Sequence, residues 1–538
     1  MPRPGRAEWA ALAGVALIAV ALRAPVAGLP LERDEGEYAY IASRWLDAGE
    51  LPYRDAFDQK PPGVFMLYAL AFGVGGQTEA AVRWTAQAWT LVTLAATAAL
   101  GRRLFSPAAG VAAALLAALL TVDASWLGNA VNTELVAIAP LAVGALAALR
   151  ASAGGRGGVA WSLLTGICGG IALLCKPVVA PIVGFELATA AWRSGRAGAH
   201  ALAGAAGVAA VLAPVAAYFA AAGVWHELLD ATVWNNLAYA GGTRLADYPR
   251  YFWAQFRGSL VPLGPVYAAA AAAPFLLGSP GAGRARRSLA WVGAWLASSL
   301  AAVAAGGYFR QHYFVLTIPP LALLAGAALD TAARRLLPSR RAAAALAVAA
   351  ALALVAHAVF EGWWYYGPSS GAEKMGRLYG SNPFPETLPT ARWIAAHSAP
   401  DDRVFVYGSE PQLLFHAGRR SASRYIFVYP LTMPMGDAAA RQREALAAFD
   451  AAPPRFVVGV FLRSSTLDQP GTPPELRQGL RERLERDYEL AAVVPFTRDR
   501  RGEVVEGAAA RALVAHSPPL WETLAAWTAY VVWERRAH

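Results

Sequence analysis

Lysine is nearly missing from this chain of 538 residues. Of 47 basic residues only Lys60, Lys176 and Lys374 are lysines. Cysteine is almost as scarce. Cys168 and Cys175, seven apart in one apolar segment, share a helix face and exclude a disulfide framework or a metal knuckle. Charge is low at 16% against 56% hydrophobic residues, more apolar surface than a soluble core of this length needs. The net charge of +10 does not point to nucleic acid, because the arginines sit in short loops between apolar runs. There is no GxGxxG or P-loop pattern, no internal repeat and no A-x-A cleavage site after the weakly basic start, so the first apolar run reads as an uncleaved span.

What the chain has in quantity is membrane-length Ala/Leu/Val runs. A bilayer span takes about 20 apolar residues. Candidate spans fall at 9–29, 79–101, 107–123, 133–149, 158–174, 177–192, 198–221, 258–278, 287–306, 312–330 and 341–360. Arg102-Arg103, Arg150 to Arg156, Arg193 to Arg196, Arg284 to Arg287 and Arg334 to Arg341 then share one side, which the positive-inside rule makes cytoplasmic. Segments 33–62, 123–134 and 223–255, with Lys176 and Arg310 to His312, share the other. The expected fold is a polytopic α-helical membrane protein of about 11 spans (residues 1–360) with a soluble C-terminal α/β domain (361–538). The N-terminus is expected in the cytoplasm of a bacterial inner membrane, and the C-terminal domain outside. Strands are expected at 403–408, 455–461, 488–495 and 530–535. The apolar segment 62–76 is too short to span and reads as an interfacial helix, as does Glu35 to Ala48 with its stripe of Tyr38, Ile41, Trp45 and Leu46.

The stretch RDEGEYAYIASRWLDAGELPYRDAFDQKPPG, Arg33 to Gly63, follows the first span directly and is the richest in chemistry. Asp34 is an expected N-cap, with Glu37 completing a capping box. It is equally a candidate general base whose pKa partial desolvation would raise, with Glu35 as its supporting partner or a ligand. Lys60 stands before Pro61-Pro62, which hold it on an extended corner, and is a candidate for a lipid phosphate. Asn132 or Thr133 is a candidate cap of the fourth span. Glu134, an acid at the start of a span, is a functional candidate to orient an acceptor or Lys60. Asp123 reads as a solvated loop acid, and Arg23 as a snorkelling arginine. Arg310, His312 and Lys176 offer further cations, while Tyr308 and Tyr313 fit an aromatic belt. The loop 224–255, with His226, Glu227, Asp230, Trp234, Asn235, Asn236, Tyr239, Arg244 and Tyr248, suits either sugar stacking or interfacial packing. No spacing suits a metal site, so no cofactor is expected to be obligatory, although a divalent cation stays open.

With Asp34-Glu-Gly-Glu-Tyr38, Pro52-Tyr53, Asp58-Gln-Lys-Pro-Pro62, Asn132-Thr-Glu134, Lys176-Pro177 and the Arg-Gln-His-Tyr-Phe run into Leu316-Thr-Ile-Pro-Pro320, the chain resembles the GT-C membrane glycosyltransferases over residues 8–330. The nearest members are the bacterial protein O-mannosyltransferase and aminoarabinose transferase type (glycosyltransferase family 39). The resemblance implies inverting transfer of a sugar from a polyprenyl-phosphate donor to an acceptor hydroxyl on a protein, lipid or polysaccharide at the outer face. It implies a catalytic acid at Asp34 and a phosphate-facing lysine at Lys60. Tyr38, Tyr53, Asp58, Asn132 and Glu134 fall in the same motifs as acceptor or supporting groups. Two other classes fit less well: a flippase or transporter, whose ionisable groups belong near the midplane, and a polyprenyl-pyrophosphate oligosaccharide transferase or ligase.

Overall fold

The structure is a computed structural model that describes residues 5–154, 157–192, 196–278, 283–433, 437–523 and 527–537. Helices stand at each expected span: Arg6–Arg23, Glu79–Leu104, Pro107–Leu120, Thr133–Ser152, Gly158–Cys175, Ala180–Ala191, Ala197–Ala221, Leu260–Leu277, Gly283–Ala304, Ile318–Leu336 and Arg340–Glu361. Seven of the described apolar segments have the length and hydropathy to cross a bilayer unaided. Pro107–Leu120 and Pro177–Ala191 are apolar but shorter, and Glu79–Leu104 and Gly283–Ala304 carry charged side chains within their length.

The helix ends sort by charge. Arg102 pairs with Glu8, Arg103 donates to the Leu149 carbonyl at 2.8 Å and Arg284 to the Arg103 carbonyl at 3.2 Å, which gathers an arginine-rich end. Arg156 and Arg193, expected in the same clusters, lie outside the described residues. At the opposite end Arg23 does not snorkel. It is fully buried and donates to the Thr121 carbonyl at 3.0 Å, to the Gly128 carbonyl and to Gln87 at 3.3 Å. Asp123 is likewise buried rather than solvated, taking the Ser125 amide at 2.9 Å and the Tyr366 hydroxyl at 3.2 Å. Both differ from expectation for the same reason: the loop 121–132 is folded inward, where most buried polar groups take partners.

Between the first span and Glu79–Leu104 lie two shorter helices, Arg33–Ala48 and Gly63–Gly75. Gly63–Gly75 starts where Pro61-Pro62 end. It buries Phe65, Tyr68 and Phe72 and leaves Met66, Leu70 and Val74, one turn apart, exposed. Such an apolar stripe suits a helix lying in the membrane interface. Arg33–Ala48 differs from expectation in two respects. Its N-cap is Glu32, in a capping box with Glu35 (3.2 and 3.3 Å), so Asp34 caps nothing and its carboxylate is free for other contacts. The helix also lies beneath the C-terminal domain instead of on an open surface. Gly36 is the crossing point, since a Cβ there would meet the Gln412 amide nitrogen at 2.6 Å. Gly36→Ala is therefore expected to lower unfolding stability by about 1–3 kcal/mol through overpacking, read from thermal or denaturant melts of the purified protein.

The C-terminal sheet comprises β1 (Arg403–Tyr407), β2 (Arg420–Ser421), β3 (Phe456–Gly459), β4 (Tyr488–Pro495), β5 (Val505–Glu506) and β6 (Thr528–Arg535), in the order β2-β1-β3-β6-β4-β5. β1 pairs parallel with β2 and β3, while β6 runs antiparallel to β3 and β4. The central strands read as apolar runs because both faces are covered, with Val406 opposite Val458 and Val458 opposite Val532. The two-residue strands β2 and β5 carry too little pattern to be read from sequence.

Candidate active site

A cavity of about 440 Å³ opens at the end of the bundle opposite the arginine clusters. Its walls come from five regions: the start of helix Arg33–Ala48 with the 59–61 turn, the 127–133 and 175–178 turns, the 224–255 loop, the 305–313 segment, and loops of the C-terminal domain.

Lys60 is its organising group. The ammonium lies 2.7 Å from Glu37, 3.5 Å from Asp58 and 3.6 Å from Asp34. The Tyr38 ring lies 5.2 Å away, the Asp58 carboxylate also accepts the Lys60 amide at 3.0 Å, and the Tyr53 hydroxyl donates to the Lys60 carbonyl at 3.0 Å. Tyr53 itself sits at φ 74°, a left-handed conformation that a tyrosine rarely adopts. The three acids are not equivalent. Side-chain exposure is 26% for Asp34, 1% for Glu37 and 0% for Asp58, so Asp34 is the most accessible of the three, Glu37 touches the cavity only from a buried position and Asp58 lies behind it. Burial drives Glu37 well above the usual carboxylate range and lifts Asp58, with Lys60 only partly opposing. At Asp34 burial also pushes upward, but Lys60, His312, Arg33 and Lys176 together outweigh it. The expected rise of the Asp34 pKa is thus reversed, and the group stays ionised at neutral pH. Burial alone would lower Lys60, but Asp34, Asp58 and Glu37 hold it well above its ordinary value.

The second cluster centres on Glu134, which is fully buried. It pairs with Lys176, takes the Thr133 hydroxyl at 3.0 Å and has His312 Nε2 at 3.9 Å. Lys176 also stands 4.0 Å from the Tyr313 ring centre. Lys60 and Lys176 are therefore both compensated by carboxylates, and so is Arg33, by Glu410 at 3.2 Å. Arg310 differs. It lines the cavity against the Tyr308 ring at 5.7 Å with Tyr239 beside it, and among the described residues no ion pair involves it. Three buried polar atoms of this wall, Asn132 Oδ1, His312 Nδ1 and Ser464 Oγ, have no hydrogen-bond partner among the described residues.

Glu35 is not among the residues lining the cavity. It is wholly buried, bonded to Arg83 at 2.6 Å and to the Val131 amide at 3.0 Å, and ties the first turn of its helix to the neighbouring span and loop. Tyr53 and Asp58 also act from behind the wall, whereas Tyr38 and Asn132 line it. The 224–255 loop divides. Asn236, Tyr239 and Gln255 face the cavity, with Asn236 donating to the Gln59 carbonyl at 2.8 Å. Trp234 and Leu237, each 61% exposed, form an outer apolar face, and Asp230 pairs with Arg441 at 3.3 Å. Sequence reasoning missed Glu32, Arg33, Gln59 and the wall supplied by Tyr379, Asn382, Phe427, Tyr429, Met433 and Ser464. Nothing in the spacing of the C-terminal-domain residues relates them to the first loop.

Residues 59–218 match the family model described as dolichyl-phosphate-mannose-protein mannosyltransferase. Among curated proteins none matches the chain by sequence. Among solved structures, ArnT from Cupriavidus metallidurans bound to undecaprenyl phosphate aligns at 16% identity and TM-score 0.59, covering 85% of this chain and 94% of that one. The apo oligosaccharyltransferase of Archaeoglobus fulgidus aligns at 12% identity and TM-score 0.54, covering 98% and 88%. In sequence over residues 59–218 the chain is similar to the dolichyl-phosphate-mannose-protein mannosyltransferase family, and in fold over most of its length to the GT-C enzymes ArnT and the archaeal oligosaccharyltransferase.

Proposed function

We propose that this protein transfers a sugar from a polyprenyl-phosphate donor to an acceptor hydroxyl at the outer face of a bacterial inner membrane, inverting the anomeric carbon. The arginine-rich end of the bundle lies in the cytoplasm and the C-terminal domain outside. The observation that carries the reading is the division of charge within one cavity. Asp34 is an ionised, accessible carboxylate, and Arg310 is a guanidinium without a carboxylate beside it.

Asp34 takes the proton of the acceptor hydroxyl as its oxygen attacks the anomeric carbon. The bond from that carbon to the phosphate oxygen breaks on the opposite face, and the polyprenyl phosphate leaves with the electron pair. Arg310 binds that dianion, supported by Lys176 and His312. Lys60 holds Asp34 in place more than it binds phosphate, because its charge is already shared among three acids. The lipid phosphate is itself the activated leaving group, so no obligatory cofactor enters the scheme. A pyrophosphate-linked donor, the second reading, is favoured by the oligosaccharyltransferase-like fold, but one uncompensated guanidinium suits a single phosphate better.

The test is sugar release from a panel of polyprenyl-monophosphate sugars by purified protein, with envelope acceptors supplied. Turnover of no donor sinks the proposal. Turnover of pyrophosphate-linked donors alone replaces it by the second reading. Within the same assay, Arg310→Gln is expected to weaken donor binding roughly 10- to 100-fold, the loss of about 1.5–3 kcal/mol for a charged hydrogen-bond partner.

A further inference from the structure

Arg33 immediately precedes Asp34 at the first position of helix Arg33–Ala48, and its side chain turns into the C-terminal domain. Nε donates to the Ser409 carbonyl at 2.5 Å and Nη1 to the Tyr429 hydroxyl at 2.5 Å. Nη2 donates to Asn382 at 3.3 Å and pairs with Glu410 at 3.2 Å. The rings of Tyr429 and Phe384 lie 5.1 and 5.9 Å from the guanidinium carbon. The receiving groups are fixed in turn. Glu410 is fully buried and takes the Ser465 hydroxyl at 2.6 Å, and the same hydroxyl accepts the Ser409 amide at 2.9 Å. One turn further along the helix, Gly36 presses on Gln412, and the Tyr40 hydroxyl accepts the Ser421 amide at 2.8 Å.

A buried ion pair adds little net stability, because desolvation offsets much of the attraction. A planar fork gripped at four acceptors instead restricts orientation. The peptide unit that Arg33 shares with Asp34 is therefore held by the C-terminal domain, although Asp34 acts on the cavity formed with the membrane helices. We propose that Arg33 is a positioning residue that makes the C-terminal domain an integral part of the active site, fixing the first turn of the helix and so the direction of the Asp34 carboxylate. This rests on the reading of Asp34 as the base.

The charged and titratable groups facing Asp34 are Glu32, Arg33, Glu37 and Tyr38 from its own segment, Asp58 and Lys60 from the 58–60 turn, Tyr68 from helix Gly63–Gly75, His312 and Tyr313 from the 310–313 segment, Lys176 from its turn and Tyr429 from the C-terminal domain. Behind Arg33 stand Glu410 and Tyr429. Replacing Arg33 removes one cation from this set and leaves the rest in place.

The experiment compares full-length wild type, Arg33→Gln, Arg33→Lys and Tyr429→Phe on the polyprenyl-monophosphate sugar that wild type turns over, with kcat, donor KM, the pH profile and thermal melting recorded together. Misplacement of a catalytic group by about 1 Å costs on the order of 100-fold. Arg33→Gln is accordingly expected to lose roughly that factor in kcat, with donor KM changed less than about 3-fold. Its acid limb is expected to move to higher pH, because a cation that favours the ionised carboxylate is gone. Arg33→Lys restores the acid limb but not kcat, since charge returns without the fork. Tyr429→Phe, which removes a single hydroxyl, lowers kcat with an unshifted melt. A wild-type pH profile and kcat in Arg33→Gln overturn the positioning role while the transferase reading stands. Losses in kcat that track melting temperature across all three variants also overturn it, reducing Arg33 to a structural tie. A wild type inactive on every donor overturns the transferase reading and the positioning role with it.

Discussion

Asp34→Asn is expected to lower sugar transfer by about 10³-fold or more, the scale of a lost general base, while donor affinity stays within about a factor of two. Asparagine keeps the size of the side chain and its place beside Lys60, and Lys60 retains Glu37 and Asp58, so the cavity stays assembled. What goes is the most exposed carboxylate of the Lys60 cluster, the group proposed to take the proton. Paired measurement of donor binding and transfer checks this, and transfer at the wild-type rate removes Asp34 as the base. Wild-type activity carries a matching signature. Asp34 is held below the ordinary aspartate range, with Lys60 the largest of the groups opposing burial, so activity should persist at mildly acidic pH and fail only as pH drops through that lowered value. The sign for stability is the same. A carboxyl with a depressed folded-state pKa contributes stability that is fully present above its unfolded pKa and is lost as pH falls through the folded one.

The second large effect is expected at Lys60. Lys60→Met leaves Asp34, Glu37 and Asp58 around an uncharged chain, and removing one partner from a buried ionic cluster typically costs about 3–5 kcal/mol. The cluster recovers part of this by taking up protons, which raises the Asp34 pKa. The variant should therefore melt lower, lose transfer by about 10²-fold or more and show its acid limb at higher pH. Thermal melts and a pH profile against Arg310→Gln separate the two cations. If Lys60→Met keeps its stability and pH limb but loses donor affinity, Lys60 is the phosphate ligand and Arg310 is not.

The fold was legible where pattern length was sufficient. Apolar runs placed the helices, and the stretch at 403–408 stood out as a buried-type run, matching β1, while the strand expected at 455–461 is the shorter β3. The first loop was legible as chemistry because acids and a rare lysine crowd into one short amphiphilic stretch. Spacing did not show which cation each acid takes. Glu35 was grouped with Asp34 by adjacency, yet neighbouring helix positions point about 100° apart, and Glu35 faces Arg83 while Asp34 faces the cavity. A cap displaced by two residues, from Asp34 to Glu32, was enough to change the role assigned to each acid. Arg33 and the wall of Tyr379, Asn382 and Tyr429 were illegible for a different reason. Contacts separated by 349 to 396 residues leave no mark on local pattern.

The exposed side chains Met66, Leu70 and Val74 have a consequence for how the protein responds to its surroundings. Their helix begins three residues after Lys60 and carries no polar group on that face, which suits a seat at the boundary between headgroups and acyl chains. A donor tethered by a prenyl tail presents its phosphate at that same boundary. On the proposed function, with the helix seated there, the height of the reaction centre would be referenced to the near leaflet and not to the length of the spanning helices. Thickening or thinning the bilayer would tilt the bundle yet carry the Gly63–Gly75 helix, the catalytic loop and the lipid phosphate up or down together.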